Sequence, residues 1–245
     1  MPQLSDFYKQ AKDFIEHHLK LPESGEAILE AELVPYRTGK SKPESMDEPG
    51  GIYYKMLESL KNRQGFENFI GLDAVECMND ILFGYDPIET HKTYGNDLKD
   101  GLNSGLFEKL ERQFFGKNKK FDIKNPKNAW VQYTKGIISI ARFLSDFQDA
   151  KDKGYKKFCG FIELFSSNAD EHVVAALPML LEKEIDGYGF ALACDFLKES
   201  GYNMYCKPDV HLLDIFWQGR LLTKKINTSA SKPSSKWRAK SATRL

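Results

Sequence analysis

Apolar residues at helical spacing recur in one segment after another from Ile52 onward, and nothing constrains this chain's fold more. The segments read "YYKMLESLKN", "FIGLDAVECMNDILFG", "LKDGLNSGLFEKLERQFF", "WVQYTKGIISIARFLSDFQ", "KKFCGFIELF", "HVVAALPMLLEKEI" and "FALACDFLKESG". Gly, Pro and Asn separate them, strand-type alternation is scarce, and no internal repeat is evident. This predicts an all-α architecture of packed helices joined by short loops. With 245 residues, 41% of them hydrophobic and 29% charged, the chain is long and apolar enough to bury a real core. No apolar run approaches the ~20 residues that a membrane span needs.

Three regions follow from this pattern. Residues 1–51 read as an N-terminal helix and linker. Leu4, Phe7, Tyr8, Ala11, Phe14, Ile15 and Leu19 lie at helical spacing, "ILEAELVPY" is a short strand or an extended connection, and 38–51 is rich in turn formers. Residues 52–220 form the helical domain. Residues 221–245 form a basic, flexible tail with seven Lys and Arg and no acid, so the other residues carry 28 basic against 35 acidic side chains, a balance of −7. Such a tail touches phosphates or is simply solvated. Residues 112–127, with six basic residues against Asp122, are a second phosphate-facing patch or a solvated loop.

The N-terminus is amphipathic and carries acids, unlike a secretory signal, which makes the cytoplasm the expected compartment and gives no membrane contact. Cys77, Cys159, Cys194 and Cys206 form no C-x-x-C pair and are expected to be buried thiols. The five histidines do not cluster with them, so no catalytic metal is expected.

Residues 184–216, "EIDGYGFALACDFLKESGYNMYCKPDVHLLDIF", carry the most specific pattern. One helical segment ends at Asp186-Gly187-Tyr188-Gly189 and another begins at once. The two glycines allow a tight reversal and positive φ. They also leave backbone N–H groups at the second helix's start open to an anion, which the helix dipole favours. An ordinary helix–helix turn likes glycine as well. The dinucleotide-binding fingerprint does not fit, since no strand precedes the pair and the third glycine is missing. Asp209 follows Gly187 by 22 positions (209 − 187) and precedes the apolar run Leu212, Leu213, Ile215 and Phe216, which by itself makes it an N-cap candidate.

Together, "IDGYGFALA" and "KPDVH" resemble the helix-hairpin-helix superfamily of DNA glycosylases, whose pattern is Leu-Pro-Gly-Val-Gly-x-Lys-x-Ala followed by Asp-x-His. The Asp-Val-His ending looks most like the 8-oxoguanine branch. The resemblance covers 52–220 loosely and 184–216 well. It implies a two-lobed helical fold that bends double-stranded DNA and flips a base into a pocket between the lobes. It implies that Gly187, Tyr188 and Gly189, with Ala191 just beyond, hold a DNA phosphate, and that a monovalent cation can sit at the hairpin. It gives Asp209 the catalytic role, stabilising positive charge on the sugar while water attacks. His211 matches a histidine that contacts phosphate, or is a solvent-facing residue of a helix first turn.

Departures from the family pattern shape the expectation. The lysine that forms a Schiff base in bifunctional relatives is Ala191 here, so a monofunctional hydrolase leaving an abasic site is expected; Lys207 is the alternative amine for a lyase. Ile185-Asp186 replaces Leu-Pro, and Asp214 stands where many members have Arg. No cysteine follows Cys206, so no iron–sulfur cluster is expected. Trp130, Tyr133, Trp217, Tyr53 and Tyr54 are candidates to stack on a flipped base, with Asn128 and Gln132 to read its edge, although aromatics at helical spacing usually pack inside. The base is an oxidised or alkylated purine or a modified pyrimidine, and the role is repair or phage defence. The protein is expected to act as a monomer at the nucleoid. The rival readings are a non-catalytic hairpin DNA-binding protein, a glycosylase with lyase activity, and a helical adaptor.

Overall fold

The computed structural model describes residues 49–63, 66, 70, 74–97, 105–114, 121–147 and 156–208. All but Pro208 belong to one compact unit within 31–207. Their regular structure is wholly helical: α1 (Pro49–Lys61), α2 (Pro87–Tyr94), α3 (Gly105–Phe114), α4 (Ala129–Ser145), α5 (Lys156–Ser166), α6 (Glu171–Glu184) and α7 (Phe190–Glu199), with a 3₁₀ turn at Glu76–Met78. No strand occurs among the described residues, as the periodicity predicts. No helix among them is long and apolar enough to cross a membrane. The expected N-terminal helix and the basic tail lie outside the described residues.

Helix α4 is the axis. It packs against α1, α2 and α3, while α7 packs against α1 and α6, and α5 against α6. Asn128 starts α4 by accepting the N–H groups of Trp130 (2.9 Å) and Val131 (3.4 Å) on its side-chain oxygen. Two buried tyrosines tie α4 to α1 in opposite directions. Tyr53 donates to the Ile137 carbonyl at 3.0 Å, and Tyr133 reaches the Leu57 carbonyl at 3.5 Å. Ile52, Met56, Leu57 and Leu60 of α1 are fully buried, each worth about 1.5–3 kcal/mol of burial. Gly136 lets the two helices approach, because a Cβ there would stand 2.4 Å from Leu60 Cδ2.

Two local departures from the sequence reading have physical causes. Helix α1 begins at Pro49, inside the expected linker. Proline suits a first helical turn, and Gly50 is accepted because a Cβ there would come within 3.1 Å of the Gly84 carbonyl. In "FIGLDAVECMNDILFG" the apolar spacing is kept, with Ala74, Val75, Met78 and Leu82 all buried, but residues 74–85 form turns and one 3₁₀ turn instead of an α-helix. That segment ends in three consecutive residues with positive φ: Phe83 (55°), Gly84 (68°) and Tyr85 (60°), a path no helix can follow.

Candidate functional site

The turn between α6 and α7 is built in three steps. Helix α6 stops at Ile185, whose N–H still donates to Leu181. The chain then reverses with Tyr188 N–H donating to the Ile185 carbonyl at 3.1 Å and Gly187 at φ +80°, the left-handed third position that glycine supplies in a tight turn. Finally the turn is fastened to α4. Asp186 N–H donates to Ser139 Oγ at 2.8 Å, and Arg142 donates to the Glu184 carbonyl (3.0 Å) and carboxylate (3.1 Å). Gly136 serves here as well, since its absent Cβ would be 3.1 Å from the Asp186 carbonyl.

The fastened turn leaves one side open. Helix α7 starts at Gly189 with no side-chain cap. The N–H groups of Gly187, Gly189, Phe190 and Ala191 have no hydrogen-bond partner among the described residues. The space beside the Gly189 Cα is empty. Against Gly187 lies a cation that the sequence reading missed. Arg63 Nη1 is 2.8 Å from where a Gly187 Cβ would stand, and its guanidinium also lies over the Phe66 ring at 5.2 Å. Arg63 has no carboxylate partner among the described residues, and burial pushes its pKa below the usual value. Four donors without a partner among the described residues, the start of a helix and a guanidinium without a carboxylate partner among them meet at this turn, a combination of groups suited to one phosphate. Asp186 is exposed at the same turn and is the only acid on it.

The remaining predicted residues divide. Asp209, His211 and Trp217 lie outside the described residues. Trp130 is fully buried, stacked on Phe114 and Phe121 at centroid distances of 4.9 and 4.6 Å. Tyr133 is fully buried too, and burial, then Glu58, Tyr85 and Tyr54, push its phenol well up. Both rings, like Tyr53, sit in the core as helical aromatics usually do. Asn128 is the α4 cap, and Gln132 donates to the Pro126 carbonyl at 3.4 Å. Lys207 forms an ion pair with Asp195 at 3.4 Å, which engages its amine. Cys194 is buried, and burial, then Cys206 and Asp195, push its thiol up to about 12. Cys206 is exposed and Cys77 and Cys159 are half-buried, so only one of the four expected buried thiols is fully so. No group of three His, Cys, Asp or Glu side chains that could hold a metal occurs among the described residues.

Beyond α7's first turns, a cavity of about 660 Å³ opens between α1, the 83–85 turn and α7. Tyr54, Glu58, Ser59, Asn62, Tyr85 and Asp195 are among its lining. Its size falls in the usual range for ligand pockets, about 300–1,000 Å³. No protein-family model, no curated protein and no solved structure matches this chain.

Proposed function

We propose that this protein is a monofunctional DNA glycosylase with the two-lobed helix-hairpin-helix fold, and that it excises a base from double-stranded DNA and leaves an abasic site. The observation that carries the reading is the 185–189 turn: the N–H groups of Gly187, Gly189, Phe190 and Ala191 have no partner among the described residues, and Arg63 lies against Gly187. A DNA phosphate fits that donor set, and Arg63 offsets the Asp186 charge beside it. The guanidinium also supplies the positive charge that a monovalent cation would bring to the turn, so no role is given to such a cation.

Asp209 is assigned the chemistry. As the bond from C1′ to the base nitrogen breaks, its electron pair leaves with the base, and the sugar gains oxocarbenium character. A carboxylate beside that carbon lowers the barrier by holding opposite charge and orienting the water that adds to C1′. His211 is assigned a second phosphate contact. Ala191 offers no amine, and Lys207 is engaged with Asp195, which favours hydrolysis over a Schiff-base route.

The test is strand scission on duplexes carrying a panel of damaged and modified bases. Cleavage only after alkali, reduced about 10²–10⁴-fold by Asp209→Asn, is the expected result. Cleavage without alkali, with a borohydride-trapped adduct, would replace this reading by a lyase. Binding without release of any base would leave a non-catalytic DNA-binding protein.

A further inference from the structure

We propose that the cavity between α1, the 83–85 turn and α7 is a second ligand site, which takes a small organic phosphate carrying a flat ring, the layout of a 5′-mononucleotide. This site stands apart from the glycosylase reading: its ligand is a free small molecule, and it uses no residue of the 185–189 turn.

The order of groups along α1 sets the polarity of the ligand. One face of the helix lines the cavity, first with Gly50 and Gly51, then with Tyr54 and Lys55, then with Glu58. The first N–H groups of a helix have no acceptor within it. Those of Gly50 and Gly51 have no partner among the described residues, and the first turn holds no acidic side chain. Gly84 closes this end without a side chain, and a Cβ on it would meet nothing within 4 Å. Lys55, one turn further on, reaches the Glu199 main-chain carbonyl at 3.4 Å. Each carboxylate of the lining is held by a lysine: Glu58 by Lys61 at 2.5 Å, Asp195 by Lys207 at 3.4 Å and Glu199 by Lys198 at 2.8 Å. Lys55 has no carboxylate partner among the described residues. The charge left over in the lining is therefore positive, and it lies one turn from the open N–H groups. A phosphate uses both.

The ring has its place beside the anion. Residues three or four apart on a helix are neighbours, with Cβ positions about 5–6 Å apart, so a ring against Tyr54 sits one short linker from a phosphate at Gly51. Tyr54 and Tyr85 meet edge to face at 5.1 Å, and both line the cavity. Tyr85 is held by its own hydroxyl, which donates to the Val75 carbonyl. Burial, then neighbouring groups, push its phenol up to about 12, so the ring stays neutral beside an anion. The volume of about 660 Å³ accommodates a ring, a linker and a phosphate together. At the far end Glu58 and Asp195 offer carboxylate oxygens and Asn62 an amide. The edge of the ring meets donors and acceptors together there, so no choice among bases is expected.

The experiment is an NMR titration of the full chain, read at the backbone amides, with 2′-deoxyadenosine 5′-monophosphate, 2′-deoxyadenosine and inorganic phosphate as the three probes. The monophosphate is expected to bind at least about tenfold more tightly than either of the others, the worth of one charge-assisted hydrogen bond. It should move the amides of Gly50, Gly51 and Gly84. Lys55→Gln should lower its affinity about tenfold, toward that of the nucleoside. Tyr54→Leu should weaken the monophosphate and leave inorganic phosphate unchanged. Arg63→Ala, at the hairpin, should leave the monophosphate unchanged. A monophosphate that binds no more tightly than the nucleoside or than inorganic phosphate would overturn the proposal. So would shifts confined to 185–191, or an affinity that Lys55→Gln keeps. The glycosylase reading fails separately: if the monophosphate binds here but no duplex yields an alkali-labile site, the cavity site stands and the reaction does not. If a duplex is cleaved after alkali but the monophosphate does not bind, the reaction stands and the cavity site does not.

Discussion

The two ends of α7 are treated in opposite ways. At the C-terminal end every turn of backbone is answered. Gly201, at φ +91°, closes the helix with its N–H on Lys198, and the Tyr202 N–H reaches back to Leu197 at 3.0 Å. Ser200 donates to Phe196 and Leu197, and Lys55 caps the Glu199 carbonyl. This is the pairing expected of a helix stop built for stability. At the N-terminal end no side chain among the described residues caps the helix, a glycine leaves the space clear, and an arginine without a carboxylate partner among those residues stands by. A protein that satisfies one end of a helix so fully can satisfy the other. Under the proposed function, those donors are reserved for an anion from outside.

Substitutions at the glycines separate the two roles. Gly136→Val has the largest expected effect, because it drives a side chain into Leu60 and the Asp186 carbonyl; a loss of about 1–3 kcal/mol should appear as a lower Tm, together with loss of DNA binding as the turn lifts off α4. Gly187→Ala comes next. It forces a left-handed alanine at a cost of about 1–2 kcal/mol and pushes the Arg63 guanidinium aside, so Tm and DNA affinity should fall together. Gly201→Ala should cost about 1 kcal/mol for the same backbone reason yet leave DNA affinity unchanged, since that end of α7 is closed. Arg63→Ala should leave Tm nearly unmoved while weakening duplex binding and lowering the slope of log affinity against log salt by about 1, as loss of one phosphate contact does.

Much of this frame was legible in the sequence. Helices α4 to α7 follow the apolar period, and the reversal at 186–189 follows from its two glycines. Helix α2 was not, because eight residues with few apolar side chains give little periodicity; Asp86 before Pro87, whose carboxylate accepts from Ile88 and Glu89, was the available signal. The site was half visible. Gly187 and Gly189 announce an exposed backbone, but Arg63 comes from 124 positions away (187 − 63) and only packing brings it there. The cavity joins α1, a strained turn and α7, segments that share no local pattern. Trp130 and Tyr133 drew attention for their chemistry, and their helical spacing was the better guide to where they lie.

Gly189→Asp tests the central claim most directly, because its two consequences carry opposite signs. An aspartate at that N-cap accepts from the open N–H groups and suits the helix dipole, so Tm should rise, by about 0.5–1 kcal/mol of added stability. The same carboxylate fills the phosphate position with negative charge, so duplex affinity measured by fluorescence anisotropy at fixed salt should fall at least about tenfold, the effect of losing one charge-assisted phosphate contact. A more stable protein that binds DNA poorly is the predicted result. A more stable protein that binds DNA as well as before would contradict the account, because the open end of α7 would then be only an uncapped helix.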